Sequence, residues 1–370
     1  MSEIPDKIQT WQMVRPWGKD KETGVVIEGK LEKTEVPVPE IKPGEVLVKI
    51  AGCGVCHTDL GYFYDGVPTV QKPPLTLGHE MSGVVVAGDE QWVGKEVIIP
   101  AVMPCRKCHL CKTGRGNRCL AQKMPGNSMG IYGGYSDYIV VPSIDLCELR
   151  NRPSDIPLSH FAVVADAMTT PYQACMRADL RPGDNVVVVG CTGGVGVHQT
   201  QMAKALGAKT VVGIARNPEK LKRALQYGAD HVISSVDKTP RDIRGEFRKL
   251  CREIGEPEYG WKIFEVTGTE AGQAIALELL SFVGKLIVVG FGTTVNSYAI
   301  SRLMAFDAEI IGTWGCLPEY YPIVVDMILK GRLALEPFVQ TRPMSQIQEV
   351  FEEVHSKGSP ARRFVLEPDF

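Results

Sequence analysis

The stretch Val186-Val187-Val188-Val189-Gly190-Cys191-Thr192-Gly193-Gly194-Val195-Gly196 decides how this chain is read. Four consecutive valines fit a parallel strand covered on both faces. The glycine-rich turn that follows opens a helical stretch. Glycine lets backbone N–H groups approach a pyrophosphate, and a helix N-terminus stabilises its charge. The next strand, Thr210-Val211-Val212-Gly213-Ile214, completes strand, loop, helix and strand in register over about 30 residues. The alternative is a tight turn in an α/β fold with no ligand.

Working outward, Asn217-Pro218 reads as a cap and first turn, with Leu221, Ala224 and Leu225 on one helix face. Further strands are expected at His231-Val232-Ile233, Ile263-Phe264-Glu265-Val266, Leu286-Ile287-Val288-Val289 and Glu309-Ile310-Ile311. Six strands alternating with helices predict an α/β fold with a doubly wound parallel (Rossmann) sheet over 168–314. The acidic residue that would hold the adenosine ribose at the end of the second strand is missing. The chain reads Gly213-Ile214-Ala215-Arg216 there. Arg216 either faces a 2′-phosphate, favouring NADP, or is a solvated strand-end residue.

At 370 residues the chain suggests two domains. Apolar residues make up 44% and charged residues 23%, as in a soluble globular protein. A net charge of -2 gives no field favouring nucleic acid or an anionic membrane. No apolar run approaches the roughly 20 residues of a membrane span. The start, Met1-Ser2-Glu3-Ile4-Pro5-Asp6, has no basic region followed by an apolar one, so no signal peptide is expected and the location is expected to be cytoplasmic. The 11 cysteines, an odd number, argue against a disulfide framework. Six crowd into one early stretch, which points to metal. Cys147, Cys175, Cys191, Cys251 and Cys316 stand singly and read as small buried apolar residues.

The part before about residue 165 is rich in short strands and turns. Strands are expected at 45–50, 83–86 and 97–99. Cys105, Cys108, Cys111 and Cys119 have the spacing C-x2-C-x2-C-x7-C, which suits a closed tetrahedral zinc site. A ferredoxin cluster motif would end Cys-Pro, whereas Leu120 follows Cys119. The second constellation is Gly52-Cys53-Gly54-Val55-Cys56-His57-Thr58-Asp59 with Gly78-His79-Glu80. Cys56 and His79 are candidate ligands of a catalytic zinc, with Asp59 and Glu80 placed to orient them. Near the end, Ile347, Val350, Phe351 and Val354 define an amphipathic helix, and Arg363-Phe364-Val365-Leu366 a last strand.

These motifs, in this order and spacing, resemble the zinc-dependent alcohol dehydrogenases of the medium-chain dehydrogenase/reductase superfamily over nearly the whole chain. The resemblance implies a GroES-like catalytic domain over 1–167 with its zinc lobe at about 100–125, the cofactor domain at 168–314, and a return segment, 315–370, that completes the catalytic domain. It implies two zinc ions, one on Cys105, Cys108, Cys111 and Cys119 and one on Cys56 and His79. Aligning Thr170-Pro171-Tyr172-Gln173-Ala174 with the family places Asp166 as third catalytic ligand; a plain helix N-cap is its other reading. Thr58 is implied to touch the alcohol, and Glu80 to stand behind the metal. The cofactor set comprises His57, Gly190, Thr192, Gly193, Gly194, Val195, Gly196, Arg216, Gly290, Phe291 and Arg363. The family's usual relay histidine is replaced by Gly61.

Residues 60–68, Leu-Gly-Tyr-Phe-Tyr-Asp-Gly-Val-Pro, and 123–128, Lys-Met-Pro-Gly-Asn-Ser, are similar to a subgroup of the family that oxidises a ring alcohol carried as a CoA thioester in anaerobic benzoyl-CoA breakdown. That likeness implies NAD, despite Ala215. It also implies a conjugated ketone as product, open to slow conjugate hydration where Gly61 leaves room for water. Arg115, Arg118 and Lys123 are candidate contacts for the CoA phosphates. Rival readings are a zinc dehydrogenase for another secondary alcohol or polyol, and a non-catalytic binding protein on the same fold. A homo-oligomer, dimer or tetramer, is expected from the family.

Overall fold

Six parallel strands form the sheet expected from the valine run. The structure is a computed structural model and describes residues 4–358 and 361–370. Met1, Ser2 and Glu3, at the start read for a leader, lie outside the described residues. The chain divides into two units. One comprises Met1–Thr169, Gly315–Leu329 and Leu335–Phe370, and the other Thr170–Trp314 and Lys330–Ala334.

The second unit orders its strands His231–Ser234, Thr210–Ala215, Asn185–Val189, Lys262–Glu265, Lys285–Val288 and Glu309–Gly312, all parallel. Strand order reverses beside Asn185–Val189, and ligands of open α/β sheets bind at the carboxyl ends of such a point. Val186, Val187 and Val188 are wholly buried, as two covered faces require. Caps end the helices where the sequence places them. Asn217 Oδ1 accepts from Lys220 N at 3.0 Å with Pro218 in the first turn. Thr239 and Asp242 form a capping box, and Gly255 closes that helix at φ 72°.

In the first unit, Glu45–Gly54 is the central strand. It pairs antiparallel with Glu80–Gly88 and Tyr138–Pro142, and its end meets Arg363–Glu367. The last strand therefore returns to the early part of the chain. Helix Ile347–Lys357 buries Ile347, Val350, Phe351 and Val354 in this core, as their i, i+3, i+4, i+7 spacing dictates. A separate sheet, Lys7–Arg15 between Lys30–Pro37 and Leu75–Thr76, has no counterpart in the sequence reading. Its alternation is hidden because a polar residue holds a core position: Thr10 is fully buried and hydrogen-bonds Thr76.

The return segment departs from 315–370 at one place. Lys330–Ala334 lies with the second unit, where Gln201 Oε1 accepts from Ala334 N at 2.7 Å and Arg332 donates to the Ala205 carbonyl. Among the described residues no helix is long and apolar enough to cross a membrane.

Candidate metal centres and dinucleotide cradle

Two glycines shape the first centre. Gly78, at φ +94°, turns the chain into His79 and Glu80; a side chain there would strike Cys53 Sγ at 2.7 Å and crowd Tyr135 N at 3.0 Å. A Cβ on Gly54 would stand 2.1 Å from Glu80 Oε2, so this strand end accommodates the carboxylate only as glycine. Cys56 then caps helix His57–Phe63 and Asp59 completes the capping box. This short helix presents Cys56, Thr58 and Asp59 together.

Asp166 ends the 3-10 turn Leu158–Ala165 and stands three positions before Thr169, where helix Thr169–Arg177 begins. Its Oδ2 lies 3.6 Å from Cys56 Sγ and 3.6 Å from His79 Nε2. One donor atom from each of Cys56, His79, Glu80 and Asp166 falls within 4.8 Å of the others. Zinc bonds of roughly 2.0–2.3 Å arranged tetrahedrally put ligand atoms about 3.3–3.8 Å apart, so the Cys56, His79 and Asp166 set fits the ion.

Around that set the polar groups are satisfied. Asp59 is fully buried and accepts from Cys56 N (3.2 Å), Gly78 N (3.1 Å) and Tyr135 Oη (3.0 Å), and its Oδ1 lies 3.3 Å from His79 Nδ1. With Nδ1–H donated to Asp59, His79 Nε2 keeps a lone pair for a metal. Burial opposes a charged imidazole, but Asp59 and Asp166 outweigh it and hold the His79 pKa well above its ordinary value. A bound cation takes the place of that proton. Glu80 accepts both arms of the Arg363 guanidinium, with Nε–Oε2 at 2.7 Å. Burial raises the Glu80 carboxyl, and Arg363 pulls the other way. Thr58 Oγ1 is 3.5 Å from Cys56 Sγ. Gly61 is buried against Val67, whose Cγ2 lies 3.4 Å from where a Cβ would stand, so Val67 fills part of the space that the sequence reading left for water.

In the second centre, Sγ separations are 3.5 Å for Cys108–Cys111, 3.8 Å for Cys108–Cys119 and 3.9 Å for Cys105–Cys111. Zinc–sulfur bonds of about 2.3 Å in a tetrahedron give ~3.8 Å, so the lobe fits a closed site. Backbone N–H groups of Lys107 and Cys108 pull the Cys105 thiol down to about 6, whereas burial and the neighbouring thiols push Cys111 up to about 12. A divalent cation removes that conflict between adjacent charges. Arg106, between two of the ligands at φ 59°, anchors the lobe by donating to the buried Asp145 (Nε–Oδ1 2.9 Å). By contrast, burial pushes the single thiols Cys147, Cys175 and Cys191 up to about 12, which makes them inert.

The glycine turn opens helix Gly196–Ala205. A Cβ on Gly196 would stand 1.9 Å from the Gly190 carbonyl, and one on Gly190 would stand 2.5 Å from Thr267 Cγ2. Thr192, Gly193, Gly194 and Val195 stay half-exposed at the helix start, a cradle suited to a pyrophosphate. Gly290 packs so tightly on Gly268 that a Cβ there would meet its N at 2.1 Å, and the adjoining Phe291 is exposed. Arg216 follows the second strand and is exposed. Two positioning residues escaped the sequence reading. Glu265, buried, accepts from Thr267 N at 2.7 Å and from Gly268 N, fixing the turn beside Gly190. Its place at a strand end, just before Val266-Thr267-Gly268, was a usable signal. Tyr135 had none, because only the fold brings it to Asp59.

A closed four-cysteine lobe, an open Cys-His-Asp set and a glycine cradle on a parallel sheet define a zinc-binding dehydrogenase. Residues 42–151 match the alcohol dehydrogenase GroES-like domain and residues 194–330 the zinc-binding dehydrogenase domain. The chain is 31% identical over 360 residues to an alcohol dehydrogenase of Geobacillus stearothermophilus, covering 91% of this chain and 95% of that protein. It is 32% identical over 295 residues to an NAD-dependent alcohol dehydrogenase of Sulfolobus acidocaldarius, covering 76% and 81%. The crystal structure of galactitol-1-phosphate dehydrogenase from Escherichia coli superposes with a TM-score of 0.81 at 25% identity, covering 97% of this chain and 100% of that one. The chain belongs to the zinc-type medium-chain alcohol dehydrogenase family, and it is a zinc-dependent alcohol or polyol dehydrogenase.

Proposed function

We propose that this enzyme oxidises a cyclic secondary alcohol carried as a CoA thioester, 6-hydroxycyclohex-1-ene-1-carbonyl-CoA, to the conjugated ketone, with NAD as hydride acceptor. The observation that carries the dehydrogenase chemistry is the convergence of Cys56, His79 and Asp166 donor atoms beside the Thr58 hydroxyl. Zinc held there supplies a Lewis acid that makes a bound alcohol more acidic. Thr58 orients the alcohol by accepting its O–H, and relays the proton by giving up its own O–H hydrogen as it accepts the alcohol's. Asp59 keeps His79 in the tautomer that presents Nε2. With glycine at 61, the proton passes from Thr58 to water rather than to a side chain; a nicotinamide held by the glycine cradle would supply the hydride acceptor. His57 and Arg363, with the turn 190–196, are assigned to the dinucleotide.

The substrate reading rests on the two stretches that carry the subgroup likeness. One side-chain contact joins them, Asn127 Nδ2 donating to Tyr62 Oη, and just past the first stretch the backbone Val70 N donates to Asn127 Oδ1 at 2.9 Å. Lys123 pairs with Glu45 at 3.1 Å, and Arg115, exposed like it on the first unit, is the other cation proposed with Arg118 for the CoA phosphates. A screen of zinc-loaded protein, following reduced nicotinamide, tests the reading. The ring thioester should exceed free cyclohexenol and sorbitol in kcat/KM by at least about a hundredfold, because the handle contributes binding remote from the reacting carbon. A free polyol turning over as well would remove the thioester from the proposal. Slow addition of labelled water to the enone product is measured in the same preparation.

Cofactor choice is tested separately. NAD is expected to give the higher kcat/KM, in line with the subgroup likeness and with the name of the Sulfolobus relative. A higher value for NADP would mean that Arg216 reads a 2′-phosphate.

A further inference from the structure

Helix Pro240–Ile254 carries Arg244, Arg248 and Arg252 at i, i+4 and i+8, each one residue after a buried core position, Ile243, Phe247 and Cys251. Arg244 and Arg248 line a concavity with Phe247, Glu258, Glu278, Arg302 and Phe306. Its acids are shared. Glu278 meets Arg244 at 2.6 Å and Arg302 at 3.9 Å, and Glu258 meets Arg248 at 3.3 Å and Arg252 at 2.5 Å. Four guanidinium groups thus divide two carboxylates, leaving two positive charges unmatched. Two further acids of the same helix are engaged by lysines, Glu253 by Lys249 and Glu246 by Lys238.

An aromatic shelf adjoins the cations. The Arg302 guanidinium lies over the rings of Tyr298 (5.2 Å) and Phe306 (5.3 Å), which orient it. Phe306 packs edge-on against Phe282 at 4.9 Å, and Phe282 is 54% exposed. The next residue, Val283, sits at φ 48°. A β-branched residue in the left-handed region is an outlier, and such strain gathers at ligand sites. Helix Glu270–Leu279 ends in this concavity and leads directly into strand Lys285–Val288. The concavity therefore lies at the amino ends of the parallel strands, opposite the Gly190–Gly196 turn.

We propose that this concavity is a second, separate site for a nucleoside phosphate. A phosphate dianion matches the two unpaired charges through forked guanidinium bonds, and the base stacks on the exposed ring of Phe282, which Phe306 holds edge-on. The site does not depend on the substrate proposed above.

The test is calorimetric titration of zinc-loaded enzyme, with NAD saturating the glycine cradle, using inorganic phosphate and adenosine 3′,5′-bisphosphate as probes. One further site per chain is expected, at least about tenfold tighter for the bisphosphate, and weakened by salt as screening shortens the reach of the charges. Arg302→Gln and Arg248→Gln should each weaken binding about tenfold, the usual effect of losing a charge-assisted bond. Glu258→Gln should tighten it several-fold by releasing Arg248 and Arg252. Phe282→Ser should erase the preference for the bisphosphate and leave phosphate binding intact. Alcohol turnover should be unchanged in all four variants. No additional site, or binding insensitive to Arg302→Gln and Glu258→Gln, overturns the proposal. Equal affinity for both probes in the unmutated enzyme overturns the nucleoside assignment.

Discussion

Asp166→Ala should lower turnover of every alcohol substrate by about a thousandfold or more, with the melting temperature almost unchanged. Asp166 Oδ2 is the atom that stands 3.6 Å from both Cys56 Sγ and His79 Nε2. Without it the set keeps two close donors and Glu80, whose carboxylate is already committed to both arms of Arg363. Zinc content should fall from two ions per chain to about one in dialysed protein. Stability should hold because Asp166 ends the 3-10 turn Leu158–Ala165 through its backbone conformation, which alanine can also adopt. Asp166→Asn keeps the shape but loses the charge, and should show an intermediate zinc affinity. Two zinc ions retained with full activity in Asp166→Ala would remove Asp166 from the ligand set.

Cys108→Ser should have the opposite signature. The other zinc should be lost, and the first unit should be destabilised by about 4 kcal/mol, a size reserved for lost metals, disulfides and cores. At about 2–4 °C per kcal/mol for a unit of this size, the melting midpoint drops by roughly 10 °C. Cys108 caps helix His109–Lys112 and lies within 3.8 Å of both Cys111 and Cys119, so two of the other three cysteines lose a common neighbour. The Arg106–Asp145 contact remains and should keep the lobe attached while 107–119 becomes open to limited proteolysis. Catalysis measured at low temperature should persist. A variant that binds a single zinc, melts like the parent and resists protease would show that the lobe does not need its metal.

Much of the second unit was legible because local rules and tertiary structure agree there. The valine run, Asn217-Pro218 and the strand at Lys262–Glu265 each specify themselves within a few residues. The four-cysteine lobe is similar, since its ligands lie within 15 residues and spacing alone constrains them. The Lys7–Arg15 sheet was not legible. Thr10 occupies a core position and meets its partner Thr76 across 66 residues, and no local pattern reports such a pair.

The open metal set divides in the same way. Cys56, Asp59, His79 and Glu80 are visible in two short motifs, because one helix turn and one strand end present them. Asp166, 110 residues from Cys56, carried two readings in sequence, ligand or helix cap, and its position beside Cys56 and His79 depends on the path of the 3-10 turn before it. Arg363 reaches Glu80 across 283 residues only because the last strand pairs with Glu45–Gly54. By itself, the sequence determined the fold class, the glycine cradle and the identity of most donor atoms, since these follow from periodicity and from chemistry that neighbouring residues share. The tertiary structure alone decided which distant carboxylate joins Cys56 and His79, what neutralises Glu80, and where four arginines come to share two glutamates. Those are questions of charge and distance, and a folded backbone sets distance while sequence separation does not.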